Sequence, residues 1–306
     1  MKDTSASPQV LPLPCRLGVI GVGRVGAPLA AALQRAGHQA AAASASSPAS
    51  RLRAADLLPG VPLTDPAEVL RRASLILLTV PDDALPRLVS DLASSQAVRP
   101  GHLLVHTSGR YGTAVLGPAL RAGAEPIALH PAMTFTGTDR DIPRLAACSF
   151  GVTATPGSRP AAEEIVRALG TGRIEWIDET VRPLYHAGMA IGANHLVTLV
   201  AQSMRLLAKA GISDPGRMLG PLLTAALDNV LLTGDSALTG PVARGDTGTV
   251  RAHIAQLHEH APQILAPYVA LARSTTQLAV STGTLDPSGA RRILAVLDEA
   301  PASVRQ

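Results

Sequence analysis

The run Leu17-Gly18-Val19-Ile20 leads directly into Gly21-Val22-Gly23-Arg24-Val25-Gly26 and then into Ala27-Pro28-Leu29-Ala30-Ala31-Ala32-Leu33. An apolar strand, a glycine turn and a helix in that order leave a chain few folds to choose from. This is the context that the dinucleotide fingerprint requires. Gly21 would make the tight turn, Gly23 would let the backbone approach a pyrophosphate, and Gly26 would let helix pack on strand. Free N–H groups at the helix start favour the anion there. Glycines serving the turn alone are the competing reading.

The chain that follows is long enough for two domains, since 306 residues exceed what one hydrophobic core usually organises. Its balance of 46% hydrophobic and 16% charged residues is that of a globular protein. The net charge is +4, and the lysines are Lys2 and Lys209. With no block of basic residues and only 2% aromatics, a nucleic-acid surface is disfavoured, and a small anionic ligand fits better. Cys15 and Cys148 are far apart and have no metal-type spacing, so no metal site is expected and a reduced, cytoplasmic protein is the plain reading. Residues 1–14 lack the apolar core of a signal peptide and read as a Pro/Ser-rich flexible tail. The apolar run from Ala187 to Ala201 carries Asn194 and His195 and falls short of a membrane span.

After the first helix, closed by Gly37, a second strand is expected near Gln39 to Ala43. NAD-binding folds usually place an acid about 20 residues beyond the fingerprint to hold the ribose 2′-hydroxyl. No acid occurs here between Ala27 and Ala55. Ser44, Ser46 and Ser47 stand there instead, followed by Arg51 and Arg53, with Arg24 inside the turn. Hydroxyls and guanidinium groups without a repelling carboxylate suit a 2′-phosphate, so NADP is expected rather than NAD. The competing reading is a low-complexity Ala/Ser loop.

Asp65, Pro66 and Glu68 begin another helix, with Asp65 as its cap. Leu75 to Val80 reads as a strand buried on both faces and stops at Pro81-Asp82-Asp83. Its carboxyl end, Val80 and Pro81, would border the cofactor crevice. Asp82 and Asp83 are expected to cap the next helix rather than to catalyse. A strand at His102 to His106 ends in Thr107-Ser108-Gly109-Arg110, and one at Pro126 to Leu129 ends in His130-Pro131. Both ends fall on the edge that carries the glycine turn. Ser108 suits turn chemistry or a substrate contact equally. His130 suits anion binding, proton transfer or burial against backbone. Ser149 to Thr153 and Arg173 to Ile177 would extend the sheet to seven or eight strands, with a short helix from near Pro160 between them.

Beyond Asp178 the pattern becomes helical: Val181 to Ala210, Asp214 to Leu232, Thr247 to His260, Pro262 to Thr282 and Pro287 to Ala300. The expected organisation is a doubly wound α/β sheet of Rossmann type over residues 15–178, followed by an all-α domain over 179–306. In a continuous first helix, positions 186, 190 and 194 would lie within about 80° of one face, with His186 and Asn194 about 12 Å apart. Asn194 inside an apolar helix wants a partner, either a neighbouring helix or a ligand. Arg244 would pair with Asp246 as a clasp, or else reach a phosphate or carboxylate.

Taken together, Gly21 to Gly26, Ala128-Leu129-His130-Pro131 to Phe135-Thr136-Gly137, Tyr185-His186-Ala187 to Asn194-His195, and Thr239-Gly240-Pro241-Val242-Ala243-Arg244-Gly245-Asp246 carry a resemblance. The chain resembles the bacterial family that pairs a Rossmann-like domain with a helical domain of unknown function. That family is similar in build to pyrroline-5-carboxylate reductase, ketopantoate reductase, prephenate dehydrogenase and the 6-phosphogluconate dehydrogenase group. The resemblance implies an NADP-dependent oxidoreductase with its site between domains and a homodimer formed through the helical domain; the substrate expected is a small, anionic carbonyl, imine or hydroxy acid. One departure stands out. Ketopantoate reductase and the β-hydroxyacid dehydrogenases carry a lysine four residues before a helical asparagine; if Asn194 is that asparagine, Ala190 stands at the lysine position. His130 and His186 are then the available proton donors, with Ser108, Asn194 and Arg244 as substrate contacts. The rival reading is an NADP-binding regulator or scaffold without turnover.

Overall fold

The computed structural model describes residues 14–170 and 172–301, so all but Pro14 of the expected tail lies outside the described residues. The chain forms two compact units, Met1–Asn194 and His195–Gln306.

The first unit runs β1 (Arg16–Ile20), α1 (Gly26–Arg35), β2 (Gln39–Ser44), α2 (Pro48–Leu57), α3 (Pro66–Arg72), β3 (Leu75–Leu78), α4 (Leu85–Ser94), β4 (Leu103–His106), α5 (Gly117–Leu120), β5 (Glu125–Pro131), α6 (Asp141–Leu145), β6 (Phe150–Ala154), α7 (Arg159–Leu169), β7 (Ile174–Trp176) and α8 (Arg182–Ala190). The seven strands lie in the order β2-β1-β3-β4-β5-β6-β7. Every neighbouring pair is parallel except β5 and β6. The order reverses between β1 and β3, which makes the crevice beyond their carboxyl ends the topological switch point of a doubly wound, Rossmann-type sheet.

Side chains alternate across the strands, so each strand feeds two apolar layers. Leu17, Val19, Leu75, Leu77, Leu103 and Val105 pack with α1 and α7 residues such as Leu29, Leu33 and Ile165. Ile20, Ile76, Leu78 and Leu104 pack on the other face with Val69, Leu85 and Val89 of α3 and α4. That two-sided burial is why β3 reads as an unbroken apolar run. It ends at Leu78 rather than Val80 because Thr79 turns its hydroxyl to the carbonyl of Gly21, donating over 2.6 Å.

Asp65 caps α3 as expected, accepting from the Glu68 amide over 2.9 Å. Asp82 and Asp83 do not cap α4; its N-cap is Ala84, without a side-chain bond, and Asp83 lies 3.8 Å from Arg110 instead. Strands give way to helices next to Asp178, yet α8 stays with the sheet unit, because Arg182 ties it to the strand ends. A π-helical turn over Ile191–His195 follows α8. The expected continuous α-helix is therefore interrupted, and the shared face of residues 186, 190 and 194 is lost, since a π turn bonds i to i+5 and rotates the residues beyond it.

The second unit holds α9 (Leu196–Lys209), α10 (Pro215–Thr233), α11 (Thr247–His260), α12 (Pro262–Ser281) and α13 (Pro287–Asp298), with no strand among its described residues. Val250, Ile254, Leu257, Leu265, Ile293 and Leu297 form a core shared by α11, α12 and α13. By contrast, α10 buries Leu219 alone. No helix among the described residues is long and apolar enough to cross a membrane.

Contact between α3 and β1 depends on Gly18, where a Cβ would lie 2.6 Å from Val69 Cγ1 and 2.9 Å from Ala73 Cβ. Gly18→Ala is expected to lower stability by about 1–3 kcal/mol through overpacking. In urea denaturation this should move the midpoint and leave the slope unchanged.

Candidate functional site

The glycine turn is built as its spacing requires. Gly21 has φ +97°, and a Cβ there would lie 2.9 Å from the Thr79 carbonyl. Its amide and that of Val22 donate to Ser44 O over 3.0 and 3.2 Å, which fixes the turn to the end of β2. At Gly26 a Cβ would collide with Thr79 Oγ1 and Gly21 O, so α1 starts flush against the ends of β1 and β3. At Gly23 a Cβ would meet nothing within 4 Å. Val25, the N-cap of α1, makes no side-chain cap, so the helix start presents N–H groups beside an open backbone approach. This cradle fits a pyrophosphate. Val80, just beyond β3, borders it, since a Gly21 Cβ would lie 3.1 Å from Val80 Cγ1; Pro81 follows it in the chain.

Around the end of β2 the candidates divide. Ser44 is half-buried, Ser46 exposed, and Ser47 is used in a reciprocal capping box with Ser50 at the start of α2. Arg51 is exposed and its Nε donates to Ala45 O over 3.4 Å. The loop after β5 comes to the same place: a Cβ on Gly137 would lie 2.8 Å from Arg53 Nε and 3.1 Å from Arg24 Cα. Buried Asp141 holds that loop, accepting from the amides of Thr136 and Gly137 over 2.9 and 2.7 Å. Those bonds hold its carboxyl below its usual range against the opposing effect of burial. Sequence spacing alone does not bring this loop to Arg24 and Arg53.

At the ends of β4 and β5 a second cluster forms around a residue that no sequence motif marks. Arg182 is fully buried. Its Nε donates to Thr153 Oγ1 over 2.9 Å, Nη2 to Gly151 O and Ala128 O over 3.0 and 3.2 Å, and Nη1 to Ser108 O and Gly109 O over 3.3 and 3.5 Å. One guanidinium thus ties the turn after β4 to β5 and β6, and no carboxylate accepts from it. A signal was present: a cation on the first residue of a helix opposes the macrodipole and needs another reason to be there.

Ser108 is buried, and its oxygen accepts from the amides of Arg110 and Tyr111, each over 3.2 Å, which is turn chemistry. His106 donates from Nε2 to Gly112 O over 2.8 Å and accepts the Ser108 amide at Nδ1 over 3.2 Å. Burial pushes its pKa down to about 4, with the Arg182 and His130 charges acting the same way. His130 shares a 2.8 Å hydrogen bond through Nδ1 with the Tyr185 hydroxyl. Burial, then the charges of His186 and Arg182, bring its pKa down to about 4. A charged imidazolium general acid at neutral pH is therefore unavailable at His130, and what it offers is a neutral ring. His186 stands edge-on to His130 with ring centroids 5.9 Å apart. Gly109 packs against both, since a Cβ there would lie 2.6 Å from His186 Cδ2 and 3.1 Å from His130 Nε2. Asn194 is exposed within the π turn.

Arg244 belongs to the second unit and is exposed. The expected clasp is not formed: Asp246 caps α11 instead, accepting from the amide and hydroxyl of Thr249 over 3.1 and 2.7 Å. A cavity of about 690 Å³ also lies in this unit, beside Lys209, His253 and Tyr268. Lys209 there donates to His260 O at the end of α11 over 2.8 Å, a helix-capping use. No group of three or more His, Cys, Asp or Glu that could hold a metal occurs among the described residues.

The fold and this edge define a two-domain protein of Rossmann build. Residues 1–131 match the family described as a Rossmann-like domain, and residues 148–275 match the domain of unknown function DUF2520. The chain joins the two in the order that the resemblance implied, and the second match takes in β6, β7 and α8 as well as the helices beyond. No curated protein matches the chain. Among solved structures, a candidate NADP oxidoreductase from Bacteroides fragilis is 24% identical, with 85% of this chain and 97% of that one covered at a TM-score of 0.72. An imine reductase variant from Myxococcus stipitatus in complex with NAD+ is 18% identical, with coverages of 92% and 99% and a TM-score of 0.58. Pyrroline carboxylate reductase from Plasmodium falciparum with NADP bound is 12% identical, with coverages of 92% and 98% and a TM-score of 0.54. At these identities the likeness establishes the fold.

Buried His106 and half-buried His130 give stability a pH dependence. Each has a folded pKa of about 4 against 6.5, so the unfolded chain holds more protons between these values. Their contribution is complete above the ordinary imidazole range and is lost as pH falls from 6.5 towards 4, by roughly 3 kcal/mol each. Urea midpoints measured down this range should fall, and His130→Gln should remove its share of the slope.

Proposed function

We propose that the protein is an NADP-dependent oxidoreductase acting on a small, anionic carbonyl, imine or hydroxy acid. The observation that carries this reading is a single sheet edge: an uncapped α1 start beside the open backbone of Gly23, and, three strands along, a neutral His130 with His186 across the bare backbone of Gly109. A nicotinamide bound along such an edge supplies a hydride. The residues of this chain supply the rest. The amides at the α1 start bind the pyrophosphate, and Ser44, Ser46, Arg24, Arg51 and Arg53 bind the 2′-phosphate. His130 and His186 offer N–H groups to a carbonyl oxygen or imine nitrogen, and Asn194 orients the substrate. The alanine at position 190 supports a second reading, a protein that binds NADP and does not turn over.

Binding separates NADPH from NADH. Titration of micromolar protein should quench NADPH fluorescence, and an Arg24→Ala, Arg51→Ala double variant should lose about tenfold or more in NADPH affinity while NADH affinity hardly changes. Equal losses for both cofactors would remove the 2′-phosphate assignment. Turnover against 2-keto acids, cyclic imines and hydroxy acids, abolished by Asn194→Ala with binding intact, distinguishes the enzyme from the binder.

We further propose that α10 is covered by a second copy of the chain. Leu222, Leu231 and Leu232 on this helix are 64%, 77% and 84% exposed. A helix apolar on nearly all sides belongs in an interior, and a self-complementary patch closes most simply as a two-fold dimer. Light scattering behind gel filtration should give about twice the 31.4 kDa chain mass, and Leu231→Glu with Leu232→Glu should return a monomer or aggregate.

A further inference from the structure

The hydrogen bond between Tyr185 and His130 carries more than contact. The two rings meet edge to face at 87° with centroids 5.6 Å apart. The phenol is seated on the bare Cα of Gly151, where any Cβ would collide with its hydroxyl. Arg182, one turn earlier on α8, has its guanidinium carbon 6.0 Å from the same ring. Among the described residues, the Tyr185 hydroxyl makes one hydrogen bond, to His130 Nδ1 at 2.8 Å. A half-buried hydroxyl with a single nitrogen neighbour places its proton in that bond, since the reverse direction would strand an O–H without an acceptor. Nδ1 then accepts, and the ring's own proton resides on Nε2.

Nε2 faces the opposite way. It is turned to Gly109, and no hydrogen bond among the described residues occupies it. His106 provides the contrast, because the backbone takes both of its nitrogens. The groups facing His130 are Tyr185, His186 and Arg182 from the α8 side and His106 from β4. None is a carboxylate that would draw a proton to Nδ1 or hold the ring as a cation.

We propose that Tyr185 is a positioning residue that locks His130 in its Nε2–H tautomer, so that a fixed, neutral N–H donor is presented beside Gly109 to a substrate carbonyl oxygen or imine nitrogen. Such a donor stabilises negative charge developing on that atom without a charged acid. The use of the donor rests on the oxidoreductase reading, whereas the tautomer itself does not.

The test needs neither cofactor nor substrate. Protein labelled with 15N and 13C at histidine is studied near neutral pH by two-bond 15N–1H correlation, and His130 is assigned by the signals lost in His130→Gln. A pyrrole-type Nε2 and a pyridine-type Nδ1 are expected. In Tyr185→Phe, the His130 pattern should shift to an average of both tautomers while the His106 signals stay in place. An Nδ1–H pattern in the unsubstituted protein overturns the proposal, and so does a Tyr185→Phe spectrum with His130 unchanged. Should Tyr185→Phe fail to fold, Gly151→Ala, which pushes the phenol off its seat, gives the second measurement with the same two outcomes. If the tautomer is found in a protein without turnover, this inference stands and the oxidoreductase reading falls. With turnover and the opposite tautomer, the oxidoreductase reading stands and this inference falls.

Discussion

A buried guanidinium that donates to no carboxylate holds one edge of the first unit's sheet together. Arg182 satisfies carbonyls on Ser108, Gly109, Ala128 and Gly151 and the hydroxyl of Thr153, so segments far apart in sequence share one cation. Burying an arginine is tolerable only when its donors are matched, and here the acceptors are four backbone carbonyls and one hydroxyl. Burial pushes its pKa down from the ordinary guanidinium range, and the charges of Tyr185 and Glu179 act against that shift. The geometry of α8 follows, because Arg182 begins the helix and sets where Tyr185 and His186 stand.

The positive charge of Arg182 also adds to the electrostatics of the edge. Desolvation is the larger effect on His106 and His130, and the nearby guanidinium adds to it. The result is a pair of neutral imidazoles with different uses. His106 is consumed by backbone on both sides and is architectural. His130 is held on one side by Tyr185 and open on the other. Such a surface favours anions and neutral acceptors over cations, which agrees with the uncapped, positive end of α1 at the same sheet edge.

The second unit obeys a different constraint. Its inner helices, α11 to α13, share an ordinary core, whereas α10 presents leucines outward along most of its length. A helix of that composition departs from the amphipathic pattern of a surface helix, and it is this exposed apolar face on which the proposed second copy would sit.

Sequence alone determined the parts that depend on local chemistry. Gly21 and Gly26 were legible because a tight turn and a close helix each demand a missing Cβ at a fixed spacing. The run at Leu75 to Leu78 was legible because burial on two faces removes polar residues, and Asp65 because a helix start needs an acceptor. The bounds of α10, α11 and α13 were legible for the same reason, each starting at an aspartate cap, whereas the π turn between α8 and α9 was not. Tertiary structure decided everything set by residues distant in the chain. Nothing near Arg182 in sequence announces the four carbonyls it binds, and nothing near Gly151 announces the phenol seated on it. Position 137 gives no sign that it lies against Arg24 and Arg53. His130 could be singled out from its place at a strand end, but its neutrality and the direction of its free nitrogen come from burial, a distant arginine and a distant tyrosine. Short-range pattern reports which backbone conformations a segment can adopt; protonation and hydrogen-bond direction depend on through-space neighbours, which only the folded chain brings together.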